Sequence, residues 1–152
     1  MKKILMVCLG NICRSPLAHG ILESKLPSND FFVDSAGTAN YHVGDLPDQR
    51  SIEVARNNGL DITDQRGRQF KVRDFDDFDH IYVMDQSNYA DVIYLARNED
   101  DRNKVKLILE ELYPNSGTEV ADPYYGGRKG FDIVFQQLDE VCEIIADNLI
   151  RS

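Results

Sequence analysis

Val7–Leu17 reads VCLGNICRSPL. It continues Lys3–Val7 (KILMV), an unbroken apolar run of the kind a strand buried on both faces should show. It leads into Pro16–Leu26, where Leu17, Ile21, Leu22 and Leu26 share one helical face. Ser15 is expected at the N-cap of that helix and Pro16 at its first position. A strand that turns at once into a helix is the entry to a parallel α/β sheet. Such sheets hold their ligands at the carboxyl ends of the strands.

The alternation continues outward from there. Phe31–Ser35 reads as a second strand, and Ala36–Leu46 as a glycine-bearing loop. A helix begins at Asp45–Asp48 and runs to about Asn58, with Gly59 as its stop. Phe70–Phe78 is ambiguous, with room for one helical turn. His80–Met84 is a third buried strand, Gln86–Ala96 a helix, and Lys106–Leu109 (KLIL) a fourth strand. Tyr113–Lys129 is a loop rich in Pro, Gly and Tyr, longer than connections usually are without a functional reason. Phe131–Ile150 closes the chain as an amphipathic helix, with Ile133, Val134, Leu138, Val141, Cys142, Ile145 and Leu149 facing inward. The expected fold is one α/β domain over residues 1–152, a parallel sheet with helices on both faces.

Composition narrows the function. No apolar run approaches the ~20 residues of a membrane span. The N-terminal apolar run is shorter than the roughly 7–15 residues of a secretory signal, so a cytoplasmic location and no membrane partner are expected. The net charge of -9 speaks against a nucleic-acid partner. Three cysteines, an odd number, do not make a secreted disulfide framework. Cys8 and Cys13 lack metal-ligand spacing, and His19, His42 and His80 are scattered. Neither metal nor cofactor is expected.

Cys8 and Arg14 enclose five residues. The bare spacing is weak, since an accidental match has odds of roughly one in five in a chain with three cysteines. The full stretch is stronger, because a tight loop of Leu9, Gly10, Asn11, Ile12 and Cys13 can turn its amides inward. The helix that follows adds its positive end, which makes an anion nest. Gly10 and Asn11 tolerate the left-handed backbone such a loop needs. Arg14 offers a planar fork for two phosphoryl oxygens. The same field stabilises a thiolate at Cys8, a nucleophile aimed at phosphorus, and Ser15 can donate to it. The alternative is a buried, inert cysteine at a strand end. Phosphoryl transfer to Cys8 needs a general acid, and Asp122-Pro123-Tyr124-Tyr125 offers one beside tyrosines that can wall an aromatic leaving group. Asp-Pro is also a plain turn starter.

Together these stretches resemble the low-molecular-weight protein tyrosine phosphatases. VCLGNICRSP, then DSAGT at Asp34–Thr38, MDQSN at Met84–Asn88 and DPYYGG at Asp122–Gly127 occur in the family's order. The resemblance implies a four-stranded parallel sheet. It implies Cys8 as nucleophile, Arg14 as phosphate clamp and Asp122 as general acid and then base. Asn11, Ser15 and Ser35 would form the network that holds the loop and thiolate, with Asp85 an internal support. Tyr41 and Tyr124 would line the cleft, with Tyr125 beside them. Cys13 would capture oxidised Cys8 as a disulfide; a small packing residue is the alternative. The implied partners are phosphotyrosine proteins or peptides and inorganic phosphate or similar oxyanions. Many members carry a histidine ahead of an Arg-Gln pair, whereas Thr63–Gln69 here has Gln65 in that place, which cannot become cationic.

Other activities fit less well. Arsenate reductases share the loop but relay electrons through mid-chain cysteines, and none lies between Cys13 and Cys142. Protein arginine phosphatases carry threonine where this chain has Ile12. A non-catalytic phosphotyrosine-binding module would not need both Cys8 and Asp122.

Overall fold

The computed structural model describes residues 1–123 and 127–152. Among them, strands β1 (Lys2–Cys8), β2 (Phe31–Gly37), β3 (His80–Val83) and β4 (Val105–Leu107) form one sheet in the order β2-β1-β3-β4. Every pairing is parallel. The chain steps from β1 to β2 on one side and returns to β3 on the other. The switch point therefore lies between the carboxyl ends of β1 and β3, where Cys8 and Asp85 emerge.

Alternation along β1 builds two cores. Ile4, Met6 and Cys8 face a layer made by α1 (Arg14–Lys25), α2 (Gln49–Asn57) and α6 (Gly127–Arg151), with Leu17, Ile21, Ile52, Phe131, Leu138 and Val141 among its members. Leu5 and Val7 face the other layer, with Phe75 of α3 (Asp74–Asp77) and Val92 of α4 (Gln86–Tyr94). Burial on both faces is why β1 reads as an unbroken apolar run. No described helix is long and apolar enough to cross a membrane.

Several elements differ from the sequence reading. The fourth strand stops at Leu107, and Ile108–Glu111 forms a 3-10 turn. Ile108 and Leu109 are fully buried, and an apolar run this short does not distinguish strand from buried turn. A helix absent from that reading, α5 (Glu99–Asn103), is polar and has no apolar stripe. Its signals are the Asn98 side chain, which accepts from Asp101 N–H, and three acidic residues in the first turn. Helix α1 begins at Arg14 with Cys13 at its N-cap, so Ser15 lies inside the first turn and not at the cap. Helix α6 covers Gly127–Lys129, which the sequence reading left in the long loop. Ile133 is 59% exposed, on the outer side of α6.

The end of β2 braces the loop after β1. Gly37 pairs with Cys8, and its N–H donates to Arg68 O. A Cβ at Gly37 would lie 2.8 Å from Leu9 O and 3.1 Å from Asn11 N, both backbone atoms that cannot swing aside. Gly59 sits at φ +81 with open space around it. Gly37→Ala is expected to destabilise the fold by about 1–3 kcal/mol through overpacking and to weaken phosphate binding. Gly59→Ala should cost about 1–2 kcal/mol of left-handed strain and leave phosphate binding unchanged. Chemical denaturation and phosphate titration of the two variants check this.

Candidate active site

Residues 8–15 form a loop whose polar groups are sorted by direction. Thr38 N–H donates to Cys8 O at 2.9 Å, Ala39 N–H to Leu9 O at 2.9 Å, and Asp48 N–H to Ile12 O at 2.7 Å. Leu17 N–H takes Cys13 O at 3.4 Å. In a trans peptide the following N–H points opposite to the carbonyl. The outward carbonyls therefore turn the N–H groups of Leu9, Gly10, Cys13 and Arg14 the other way. Cys8, Leu9, Gly10, Ile12, Cys13 and Arg14 line a cavity of about 230 Å³. Such an arrangement, at the N-terminus of α1, suits an anion.

Asn11 adopts φ +58, the left-handed conformation the loop needs. Gly10 does not share it. A Cβ there would lie 3.2 Å from the His42 ring, so a side chain at this position would require that ring to shift. The Asn11 amide is held at both ends. Its Nδ2 donates to Ser15 Oγ at 2.8 Å, and its Oδ1 accepts from Arg68 N–H at 3.0 Å. Arg68 is fixed in turn by Asp74, at 3.1 Å from both Nη atoms, and by Asp34 at 3.2 Å. Burial opposes the Arg68 charge, but these carboxylates hold its pKa above the usual value.

Ser15 Oγ lies 3.1 Å from Cys8 Sγ and 3.4 Å from Ala36 O. The hydroxyl that the cap reading placed at the helix end thus sits beneath the thiol. Ser35 is one layer further back, bonded to His19 and Gln65. Gln65 Nε2 donates to Pro16 O at 3.1 Å, so the glutamine braces the first turn of α1.

Arg14 is only 2% exposed. Its Nη1 donates to Asp85 Oδ2 at 2.8 Å and to Val120 O at 3.0 Å. Its Nη2 lies 3.8 Å from Asp122 Oδ2. Burial works against its charge, yet Cys8, Asp85 and Asp122 hold its pKa above the ordinary arginine value. Asp85 does two jobs, since Oδ1 also accepts from Asn88 N–H as the N-cap of α4. Asp122 and the exposed Tyr41 stand at the cavity wall. Cys13 is buried at the same loop. Burial, then the charges of Asp48, Cys8 and Asp122, push its pKa up to about 12.

The structure thus brings Cys8, Arg14, Asp122, Tyr41 and the loop residues around one cavity, with Asp85, Asn11 and Ser15 directly behind them. Tyr124 and Tyr125 lie outside the described residues. Sequence reasoning missed His42, which lines the cavity with Nδ1 3.1 Å from Asp45. It also missed Arg68. Adjacency to Tyr41 was the only signal for His42.

Comparison with known proteins gives a consistent result. The family model described as low molecular weight phosphotyrosine protein phosphatase matches residues 3–152. A low molecular weight phosphotyrosine protein phosphatase of Schizosaccharomyces pombe is 40% identical over 141 residues, covering 90% of this chain and 89% of that one. The protein tyrosine phosphatase of Entamoeba histolytica, solved with Hepes in its active site, superposes with a TM-score of 0.90 at 35% identity, over 99% of this chain and 98% of that one. Wzb of Vibrio vulnificus, solved with benzylphosphonate, superposes at 0.87 with 29% identity, over 97% and 98%. With the loop, its buried arginine and a match of this extent, the chain belongs to the low molecular weight phosphotyrosine protein phosphatase family.

Proposed function

We propose that the chain hydrolyses protein phosphotyrosine and small aryl phosphates through a cysteinyl-phosphate. The observation that carries this is the Cys8 thiol above Ser15 Oγ, in one cavity with Arg14 and Asp122. The phosphoryl group sits in the loop of residues 9–15, its oxygens bound by inward amides and by the Arg14 fork. Cys8 thiolate attacks phosphorus, and the bond to the phenolic oxygen breaks. Asp122 hands its proton to that oxygen, so tyrosine leaves neutral. The Asp122 carboxylate then takes a proton from water. The water oxygen attacks phosphorus, the sulfur–phosphorus bond breaks, and Cys8 thiolate returns as inorganic phosphate departs.

Aryl substrates suit the walls. Ile12 and Tyr41 present apolar surface to the cavity, where a guanidinium leaving group would want a polar partner. The benzylphosphonate held by the Vibrio vulnificus relative is an aromatic phosphonate of that shape. A reductase relay fits poorly. Cys142 is fully buried, with its thiol directed at Ala18 O, and burial holds its pKa well above the usual value.

Cys8→Ser is expected to abolish turnover of p-nitrophenyl phosphate while phosphate still binds. Native turnover should persist in excess EDTA and favour phosphotyrosine over phosphoserine and phosphoarginine peptides. Release of phosphate by Cys8→Ser would refute the covalent route.

Asp122→Asn keeps the shape and removes the transferable proton. Tyrosine, with a pKa of about 10, needs that proton far more than p-nitrophenol does. The single-turnover first step should fall by roughly 10²–10⁴-fold with phosphotyrosine and far less with p-nitrophenyl phosphate. Equal slowing of both would assign Asp122 to loop positioning.

The raised pKa of Cys13 keeps it a thiol at neutral pH, so peroxide should meet Cys8 first. Sulfenic acid formed at Cys8 would condense with the Cys13 thiol, releasing water and forming a disulfide that added thiols reverse. Peptide mapping after mild peroxide is expected to find Cys8 linked to Cys13. Sulfonate at Cys8 beside unmodified Cys13 would reject the capture.

A further inference from the structure

Gln65 stands where the family resemblance leads one to expect histidine, yet an imidazole does reach the same Ser35 hydroxyl, from α1. His19 lies on α1 one turn beyond Ser15 and one turn before Glu23, so the three share a face. Its side chain is buried against the end of β2. Nδ1 lies 3.2 Å from Ser35 Oγ, and Nε2 lies 3.4 Å from the Glu23 carboxylate. Gly20, the next residue, lets the segment carrying Gln65 close on the helix. A Cβ there would come within 2.6 Å of Ile62 Cγ2 and 3.7 Å of Gln65 Nε2.

The sense of each hydrogen bond can be traced through this chain. Pro16 O only accepts, so Gln65 Nε2 donates to it, which turns Gln65 Oε1 toward Ser35. Gln65 Oε1 only accepts, so the Ser35 hydroxyl gives its proton there, at 3.5 Å. Ser35 Oγ must then accept from His19, which puts a proton on Nδ1. On the other side, the Glu23 carboxyl is held below its usual range by its hydrogen bond to His19, against the effect of burial. Nδ1 therefore donates to Ser35, while Nε2 faces the Glu23 carboxylate at 3.4 Å.

We propose that His19 is a positioning residue that works through its Nδ1 proton. Anchored by Glu23, it donates to Ser35 and locks the first turn of α1, and with it Ser15, beneath the Cys8 sulfur. The ring is faced by Glu23 on its own helix, by neutral Ser35 on β2 and, through Ser35, by neutral Gln65. The role rests on the phosphatase reading, because it acts on the Cys8–Ser15 contact.

Long-range nitrogen–proton correlation spectra of the native protein at neutral pH should show a proton on His19 Nδ1. A bare Nδ1 would overturn the proposal. This readout needs no turnover, so it stands apart from the phosphatase reading, which fails if native protein releases no phosphate from p-nitrophenyl phosphate. His19→Gln and Ser35→Ala should each lower kcat on that substrate roughly 3- to 30-fold while the inhibition constant for inorganic phosphate stays within about twofold. The double variant should lose no more than the worse single variant, since both act through one contact. Glu23→Gln, whose side chain is more exposed than that of His19, should lower kcat in the same sense and provides the arm that survives if His19→Gln does not fold. Losses that multiply in the double variant, or phosphate affinity that falls in step with rate, would make His19 ordinary fold support and overturn the assignment.

Discussion

An arginine buried to 2% exposure has to be answered by the groups around it, because a guanidinium does not shed its proton. Asp85 answers Arg14 at 2.8 Å, and Val120 O takes a second bond at 3.0 Å. Removing one partner of such a pair generally costs about 3–5 kcal/mol. That constraint organises the site. Arg14 follows β1 and Asp85 follows β3, so the pair joins the two strands at the switch point. Val120 N–H donates to Met84 O, which draws the next segment to the same place. Asp122 stands two residues further on. The position of the proposed acid is therefore a consequence of satisfying a buried charge.

The loop itself is held in place before any ligand arrives. Its outward carbonyls are taken by Thr38, Ala39 and Asp48, from the end of β2 and the cap of α2. Asn11, in a conformation few side chains adopt, is gripped by Arg68 N–H from outside and by Ser15 Oγ from inside. Such donors stabilise developing charge because they need not reorganise when it appears. Gly37 marks how close the layers stand, with no room for a methyl group beside Leu9 O.

The sequence was readable where structure and chemistry are local. The switch from an unbroken apolar run to helical spacing at Pro16 placed β1, the loop and α1, and put Cys8 and Arg14 together. Asp122 was named as the acid that the long loop could offer, and Asp85 only through the family resemblance, since its role depends on residues far away in the chain. Ser15 fits a cap by local preference, but Cys8 and Asn11 claim its hydroxyl for the interior. Ile108 and Leu109 look like strand because full burial erases periodicity. Helix α5 was invisible to an apolar pattern and visible only in its cap. His19 and Arg68 carry no sequence signal of their own, and His42 only its place beside Tyr41, because each acquires its meaning from elements that meet only in the fold.

A chain of net charge -9 still has to attract a phosphate dianion. The global field is screened over about 8 Å at physiological ionic strength, whereas the loop's donors are in contact with their ligand. Arg14 contributes a full positive charge, but Asp85 offsets it and Asp122 stands 3.8 Å away. What remains to favour an anion is the set of aligned amides and the N-terminus of α1, whose partial charges need no counter-ion. A site built mainly on backbone dipoles can be kept in an acidic protein, because surface carboxylates alter the distant field and leave the peptide planes as they are. It also explains why the loop's geometry is guarded so closely by Asn11, Arg68 and Gly37. Dipoles act only where they point, and a rotated peptide would present its carbonyl to the phosphate.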